Sequence, residues 1–464
     1  MAARSWELSK DGLTYTFHLR PGLKWTDGHR VTAADYAYAW KRVADPALAS
    51  DYASAVFPIK GAEDYNKGKT KDPNSIAVKA VDDLTLQVTL TEPAAYFLSL
   101  VSTWTYFPVP RWQVEKYGKK WVEADNIVTN GPFKLQSWTH DREIVLVANP
   151  DYWGAKPMLQ KIVLVLTDDP VRTGVPAYEN NELDVSDVVG TANIDRLRKD
   201  PAYGKQIKKL GKSGTALLLS DATNTDSPMS KVKVRQALFL AIDHDKIAHD
   251  VLHDTFDPAS TLLPAGILGR LETPPVTGGV ERARQLLAEA GYPNGQGFPG
   301  LKLAWGQTEP FDLVAQALQQ MWRDELKINI TLQRMERKEF NAAFSAWVKQ
   351  HFDSYIYYWA TDFEDPYNWD NQLFESSADW YHTKWVNPQY DALVRKGAGE
   401  TNLTKRKQIY TEAHKILETD LPAMPLYRLT RWQLIKPWVE GFNLPGHGGD
   451  WFWLFRNEVK ILQH

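Results

Sequence analysis

Residues 301–335 read LKLAWGQTEPFDLVAQALQQMWRDELKINITLQRM, and the order of elements in them is the strongest signal of fold class in the chain. The first five residues predict a strand, and residues 311–326 predict a helix because apolar side chains recur on one side at helical spacing. Residues 328–335 alternate between apolar and polar side chains, as in a strand. A helix at 336–348 and a strand at 353–359 continue the pattern. This order predicts βαβ units with a parallel sheet, and therefore an α/β protein.

The rest of the chain adds elements on both sides of this pattern. Residues 13–19 alternate as LTYTFHL and predict a half-buried strand. Thr32 is a candidate N-cap for a helix that ends at residue 43, with Asp35 in its first turn. Further strands are predicted at 78–90 (two, joined at Asp82-Asp83), 144–147, 161–166 and 459–462, and further helices at 281–290, at 405–417 and from Ser230.

The composition fits a globular protein that makes no use of thiols. The chain has 464 residues, of which 43% are hydrophobic and 24% charged, as is ordinary for a folded protein of several domains. A net charge of −3 argues against a general nucleic-acid binder, because affinity there depends on neutralising phosphates. The absence of Cys excludes disulfides, thiolate metal sites and a Cys nucleophile. Trp is frequent at 19 residues, so aromatic rings are candidates for a ligand pocket.

A loop rich in acids and aromatics follows the last strand of the βαβ pattern. Residues 359–369 read WATDFEDPYNW. Ligand crevices of open α/β sheets form at the carboxyl ends of parallel strands, which is where this loop is predicted to lie. A carboxylate there could hold an ammonium group, and aromatic walls could cover a ligand that is partly apolar. The alternative is a packed aromatic loop with acids on the surface, and the pattern alone leaves both interpretations open.

Two other patterns favour structural interpretations. His249 and His253 are spaced as in metal-binding helices, but no third ligand is indicated and a solvated helix face fits better. Residues 295–300 read GQGFPG and match a dinucleotide-binding glycine pattern. A helix precedes them and a strand follows, however, which reverses the order that such a site needs. We therefore predict neither a metal nor another cofactor.

A set of longer motifs runs in one order along almost the whole chain. The most specific pair is NIVTNGPFKL at 126–135 and NPDYW at 149–153. The others are YTFHLR at 15–20, KWTDG at 24–28, VKVRQALFLAIDHDKI at 232–247, ARQLLAEAGY at 283–292 and DLPAMPLY at 420–427. In sequence and in order, these motifs resemble the oligopeptide/dipeptide-type extracytoplasmic solute-binding proteins of ABC importers (bacterial extracellular solute-binding protein family 5).

The resemblance implies a periplasmic-binding-protein-like two-lobed α/β fold of type II, with mixed sheets flanked by helices and hinge closure around the ligand. An extra domain would span 1–110. Lobe I would combine 111–215 with 430–464, and lobe II would span 216–429. Family chains carry a first strand and an adjoining segment before the equivalent of Ser5, so we expect that part of the fold, together with a signal segment, to be missing from this chain.

The resemblance also implies particular ligand contacts. Asp362 falls where peptide-binding members place the aspartate that pairs with the α-ammonium group of the ligand. Trp359 matches the aromatic residue three positions before that aspartate. Phe340 and Tyr52 match further ligand-facing aromatics, and Trp369 is a candidate surface for stacking.

These features predict a receptor without enzymatic activity. It would enclose a short peptide between its lobes and deliver it to the permease subunits of an ABC importer. It would act as a monomer in the periplasm or on the outer face of the cell membrane, without contact to nucleic acid. Some family members capture the ligand's carboxylate with arginines, whereas residues 347–358 offer only Lys349 and His351 as cations. A fixed peptide length is therefore not predicted.

Two alternatives to a peptide receptor stay open. An oligosaccharide receptor of the same family would stack sugars on Trp359 and Trp369. A glycoside hydrolase would use paired carboxylates such as Asp362 and Asp365, which would have to lie roughly 5–9.5 Å apart across a bound sugar.

Overall fold

The computed structural model describes residues 2–345, 353–378, 383–442 and 458–463. Its first sheet is antiparallel and contains β1 (Ala3–Leu8), β2 (Thr14–Leu19), β3 (Val78–Asp82) and β4 (Thr85–Thr89), in the spatial order β1-β2-β4-β3. The alternation at 13–19 is confirmed, since β2 buries Tyr15, Phe17 and Leu19 on one face. The hairpin predicted at 78–90 pairs β3 with β4.

Helix α1 (Ala33–Val43) packs on this sheet and begins where its capping sequence predicts. Thr32 and Asp35 form a capping box, in which the Asp35 carboxylate accepts a hydrogen bond from the Thr32 backbone N–H at 2.8 Å. On the buried side of α1, Trp40 lies edge-on to Tyr106 with ring centroids 4.9 Å apart. The N-terminal part is completed by α2 (Ala62–Asn66), α3 (Phe97–Leu100) and α4 (Arg111–Tyr117).

A three-stranded antiparallel sheet follows, with β5 (Phe133–Thr139), β6 (Glu143–Ala148) and β7 (Lys161–Val165) in sequence order. The two most specific sequence motifs meet at its edge. The backbone N–H of Asn149 donates to the Pro132 carbonyl at 2.7 Å, and its side-chain amide donates to the Gly131 carbonyl at 2.9 Å. These bonds explain why NGPF and NPDYW occur together. Helices α5 (Pro170–Glu179) and α6 (Thr191–Lys199) come next.

The largest sheet has seven strands and contains the predicted βαβ units. Its strands are β8 (Val185–Ser186), β9 (Ile207–Ser220), β10 (Asp257–Pro258), β11 (Leu301–Gly306), β12 (Ile330–Met335), β13 (Ser354–Ala360) and β14 (Ala423–Ile435). Their order is β10-β14-β9-β13-β11-β12, with β8 paired to β14. Strand β11 is parallel to both β12 and β13, as predicted, whereas β9 is antiparallel to both of its neighbours, β13 and β14, so the sheet is mixed.

Helices connect and cover these strands. They are α7 (Val232–Leu240), α8 (His244–Lys246), α9 (Gly279–Glu289), α10 (Glu309–Leu326), α11 (Arg337–Ser345), α12 (Pro388–Gly399) and α13 (Leu403–Asp420), and a last pair of strands is β15 (Val439–Glu440) with β16 (Lys460–Ile461). Within α10 the predicted apolar side is buried, including Val314, Leu318 and Trp322. Helix α11 begins as predicted and is described to Ser345; the rest of the predicted helix lies outside the described residues.

The helical placement of the histidine pair is wrong. His249 lies in a π-helical turn, Ile247–Val251, whereas His253 follows it with a left-handed φ of 49°. The exposed His249 ring pairs with Asp254 at 2.5 Å. In the described part of the chain, no group of three or more His, Asp or Glu side chains is arranged to hold a metal ion.

Gly214 marks a close approach of two backbones beside the candidate site. It pairs with Ala360 at the end of β13, and a Cβ atom on it would lie 2.1 Å from the carbonyl oxygen of Trp359. We expect Gly214→Ala to lower the free energy of unfolding in urea by about 1–3 kcal/mol, the range for overpacking. Gly300→Ala is the control, because no atom of the described residues lies within 4 Å of its Cβ position. Equal losses in the two variants would contradict the prediction.

Candidate functional site

The loop predicted to carry the site follows β13 and is held from two directions. We call residues 361–371 the Asp362 loop. On one side, Phe363 joins the hydrophobic core of the N-terminal sheet, and Tyr367 stacks on Tyr96 of that part with ring centroids 3.5 Å apart. On the other side, the Asp365 carboxylate forms a bidentate pair with Arg406 of α13, at 2.7 and 2.8 Å. The loop therefore joins the N-terminal part to the seven-stranded sheet.

Asp362 is oriented by a single buried amide. The side-chain oxygen of Asn368 accepts hydrogen bonds from the Asp362 backbone N–H at 2.9 Å and from the Trp359 indole N–H at 3.3 Å. The amide nitrogen of Asn368 donates to the Asp362 carboxylate at 3.4 Å and to Gln372 at 2.8 Å. Asn368 is fully buried, so it fixes both the backbone and the side chain of Asp362.

The Asp362 carboxylate is half-buried and lacks a cationic partner within the described residues. Burial raises its pKa from 3.8 to about 6, and the hydrogen bond from Asn368 only partly opposes this effect. A carboxylate that is partly desolvated without a counter-ion is destabilised as an anion. An ammonium group placed beside it would remove that penalty.

Tyr52, from the N-terminal part of the chain, lies near the Asp362 carboxylate. Burial, followed by the charge of Asp362, raises the pKa of Tyr52 to about 12, and Tyr357 and Tyr358 of β13 contribute to the increase. The Tyr52 ring lies edge-on to Trp104 with centroids 5.5 Å apart. The structure thus places an acid beside a group of aromatic side chains from two parts of the chain.

The other predicted ligand contacts are more deeply buried. Trp359 is 7% exposed and bonds to Asn368. Phe340 is 3% exposed and lies beside Tyr357, with ring centroids 6.2 Å apart. Trp369 is fully buried and donates its indole N–H to Thr361 at 3.1 Å. Ligand contact by these three rings stays a prediction. In this conformation the buried Trp369 ring stabilises the Asp362 loop from within, through its hydrogen bond to Thr361.

Asp362 and Asp365, the carboxylates considered for a glycoside hydrolase, do not form the required pair. Both oxygens of Asp365 are occupied by the Arg406 guanidinium, and both side chains are nearly fully buried. Asp365 is therefore a structural anchor and not a partner for Asp362. Lys349 and His351, the candidate cations for a ligand carboxylate, lie outside the described residues.

Sequence reasoning missed the residues that support the loop. Asn368, Arg406 and His414 carry no motif of their own, although Asn368 lies within the quoted loop. The available signal was the spacing of four on α13, which places Arg406, Tyr410 and His414 on one face of a helix. That spacing does not reveal whether the face is buried.

None of the described helices has the length and apolar character of a membrane span.

The fold and this site define a two-lobed α/β binding protein. The crystal structure of Haemophilus influenzae OppA in complex with the peptide RPPGFSPFR is similar to this chain with a TM-score of 0.82 and 29% identity, covering 100% of this chain and 90% of that one. The family model for bacterial extracellular solute-binding proteins, family 5, matches residues 1–381, and the chain belongs to this family.

Individual relatives agree over nearly the whole chain. The periplasmic oligopeptide-binding protein OppA of Salmonella typhimurium is 32% identical over 462 residues, covering 95% of this chain and 81% of that protein. The probable deoxycholate-binding periplasmic protein YgiS of Escherichia coli is 33% identical over 452 residues, covering 95% and 82%. The first of these relatives is thus named for oligopeptide binding and the second for probable deoxycholate binding.

Proposed function

We propose that this protein is the substrate-binding receptor of an ABC importer, and that it captures short peptides by their amino end between its lobes. The observation that carries the proposal is the half-buried Asp362 carboxylate, which has no cation beside it within the described residues. The α-ammonium group of a peptide supplies the missing charge and can donate to both carboxylate oxygens. Aromatic side chains beside it, including Tyr52 and Tyr358, suit the first residues of a peptide.

Selection would rest on the peptide backbone more than on its side chains. Strand β13 ends at Ala360, next to Asp362, so an extended peptide held at its amino end would lie near a strand terminus. Strand-like hydrogen bonds involve only the peptide backbone and do not depend on side-chain identity, and water can complete the hydrogen bonds of varied side chains. The peptide bound by the similar Haemophilus influenzae OppA supports this ligand class. Such a receptor performs no chemistry on its ligand, and we propose an extracytoplasmic monomer that docks on a permease.

We further propose that β9 and β14 carry the hinge. Lobe I would combine 111–215 with 430–464, lobe II would span 216–429, and 1–110 would form the extra domain. The pairing of β14 with β9 changes register between Leu429, opposite Gly214, and Arg431, opposite Leu210. Such a register change interrupts the ladder and kinks the strand, which places a break in the sheet where the predicted lobes meet. Closure would follow binding because only the closed state contacts the ligand from both lobes.

Blocking the amino group of the ligand tests the anchor. We expect a tripeptide with a free amino terminus to bind in calorimetry, and its N-acetylated form to bind at least about thirtyfold more weakly, since losing one partner of a buried charge pair costs about 2 kcal/mol or more. Deoxycholate and a β-linked oligosaccharide are the comparison ligands. Equal affinity for the free and acetylated peptides, or binding of a comparison ligand alone, would falsify the proposal.

A further inference from the structure

A buried polar face runs along α13 behind the Asp362 loop. Arg406, Tyr410, His414 and Glu418 follow each other at intervals of four, so they lie on one side of the helix. Their exposed fractions are 4%, 0%, 0% and 2%. Burying four polar side chains in a row is unfavourable unless each has a hydrogen-bond partner. We call Arg406, Tyr410 and His414 the α13 stripe, because their partners lie in the Asp362 loop.

Each member of the α13 stripe binds a different point of the Asp362 loop. Arg406 holds Asp365 in the bidentate pair, and the Tyr410 hydroxyl donates to the Asn371 side-chain oxygen at 3.3 Å. The Nε2 atom of His414 lies 2.8 Å from a carboxylate oxygen of Asp370. The loop is thus fixed before and after Asn368, the residue that orients Asp362.

Both ring nitrogens of His414 face hydrogen-bond acceptors. Its Nδ1 atom faces the Gly269 carbonyl oxygen at 2.8 Å and its Nε2 atom faces the Asp370 carboxylate, an arrangement that favours an imidazolium with a proton on each nitrogen. Asp370 also accepts a hydrogen bond from the Tyr390 hydroxyl at 2.9 Å. Burial alone would lower the pKa of His414, but the charge of Asp370 and these hydrogen bonds raise it.

We propose that the α13 stripe, and His414 above all, positions the Asp362 loop for ligand binding, so that these side chains act on the ligand through Asn368 and Asp362 without touching it. This proposal rests on the peptide-anchoring function proposed for Asp362. Asp370 and Asn371 directly follow the segment 368–369, which holds Asn368 and the buried Trp369. Releasing Asp370 from α13 would therefore loosen the amide that fixes the anchor, while leaving Asp362 itself unchanged.

Two substitutions of His414 separate its two hydrogen bonds. The amide nitrogen of Asn lies about as far from Cα as Nδ1 of His, and that of Gln about as far as Nε2. His414→Gln can keep the bond to Asp370, whereas His414→Asn can keep only the bond to Gly269. Neither Asn nor Gln can carry a charge, so the loss of the imidazole charge cannot cause a difference between the two variants. We expect His414→Asn to bind a free tripeptide about tenfold more weakly than His414→Gln, because only His414→Asn releases the loop.

Leu417→Ala is the matched control. Leu417 lies on α13, is fully buried and packs in a hydrophobic core cluster, so its truncation lowers the free energy of unfolding without removing a hydrogen bond to the loop. We expect its peptide affinity to stay within about twofold of the wild-type value. Equal affinities for the two His414 variants, or an equal loss of affinity in Leu417→Ala, would overturn the positioning role. Tyr410→Phe, which removes only a hydroxyl, replaces His414→Asn if that variant does not fold.

A measurement without ligand distinguishes failure of this proposal from failure of the peptide-binding proposal. Carbon-13 NMR of labelled Asp carboxyls follows the titration of Asp362 in the free protein. We expect a pKa near 6 to persist in the wild-type protein and in His414→Gln, as burial dictates. In His414→Asn the pKa should fall toward 3.8 as the loop becomes solvated. If the protein binds no peptide but shows this pKa difference, the positioning role of the α13 stripe is supported and the peptide-binding proposal fails. If the pKa of Asp362 is unchanged in all variants, the positioning role is refuted.

Discussion

The Asp362→Asn variant is expected to have a higher free energy of unfolding than the wild-type protein at pH 8. There the wild-type fold must hold an ionised carboxylate that is half-buried and, among the described residues, has the Asn368 amide and no cation as its partner. Asn has no charge to desolvate and nearly the same shape. The rise in the pKa of Asp362 from 3.8 to about 6 corresponds to a gain of about 1–3 kcal/mol for the variant. The same variant should bind peptides about 2–5 kcal/mol more weakly, because it cannot neutralise an ammonium group.

The gain in stability should depend on pH in a definite direction. The pKa of Asp362 is raised in the folded state, so the contribution of its protonated form is fully present below about pH 4 and is lost as the pH rises through 6. Urea unfolding should therefore show little difference between Asp362→Asn and the wild-type protein at about pH 4, and the full difference above about pH 7. A constant difference across this range would contradict the burial of the charge.

Asp82→Asn is the control for that measurement. Asp82 is exposed, and hydrogen bonds from the Leu84 backbone and the Thr85 side chain lower its pKa. Its ionised form therefore stabilises the fold above its ordinary pKa, and the substitution should lower stability at pH 8. Opposite signs for two Asp→Asn substitutions in one protein would separate a binding carboxylate from a structural one. A side chain that weakens its own fold at neutral pH is characteristic of a functional site.

The sequence predicted those parts of the fold that follow from local periodicity. The elements from residue 301 to residue 360 are confirmed in order and in their parallel pairing. Strands and helices differ in the period of their apolar residues, and strands joined by a helix pair in parallel in few possible topologies. The position of β9 between β13 and β14, antiparallel to both, could not be predicted in this way. The partners of β9 are distant in the chain, and hydrophobic alternation does not encode which strand pairs with which.

In the candidate site, too, local sequence patterns could be interpreted, whereas contacts between distant residues could not be predicted. Asp362 stays a predicted ligand contact, chosen by residue type, by its place after a parallel strand and by the family resemblance. The role of Asp365 could not be read from the sequence, since its partner Arg406 is 41 positions away. Asp362 and Asp365 look equivalent in the quoted loop, yet one is half-buried without a cation in the described residues and the other is held by a guanidinium. The difference between the carboxylate proposed to bind the ligand and the structural carboxylate is therefore a tertiary contact, the ion pair of Asp365 with Arg406.

The largest loss of stability around the site is expected from Arg406→Met. The Arg406 and Asp365 side chains are only 5% and 8% exposed, and the guanidinium also donates to the Gly397 carbonyl at 2.8 Å. Removing the cation leaves Asp365 buried and uncompensated, which costs about 3–5 kcal/mol. The free energy of unfolding in urea measures the effect. Peptide affinity should fall as well, because Asp365 fixes the loop that presents Asp362.

A double substitution shows whether the loss comes from the stranded charge. In Arg406→Met combined with Asp365→Asn, neither side chain of the pair is charged, and the introduced amide oxygen can still accept the hydrogen bond that the Tyr367 N–H donates to Asp365 at 2.9 Å. We expect the double variant to recover at least about half of the stability that Arg406→Met loses, because the desolvation penalty disappears with the charge. Arg111→Met is the control, since the Arg111–Glu115 pair is exposed and should contribute less than about 1 kcal/mol. Equal losses from Arg406→Met and Arg111→Met would mean that the Asp365–Arg406 pair is solvated, and the Asp362 loop would then lack the rigid support that the proposed ligand anchor requires.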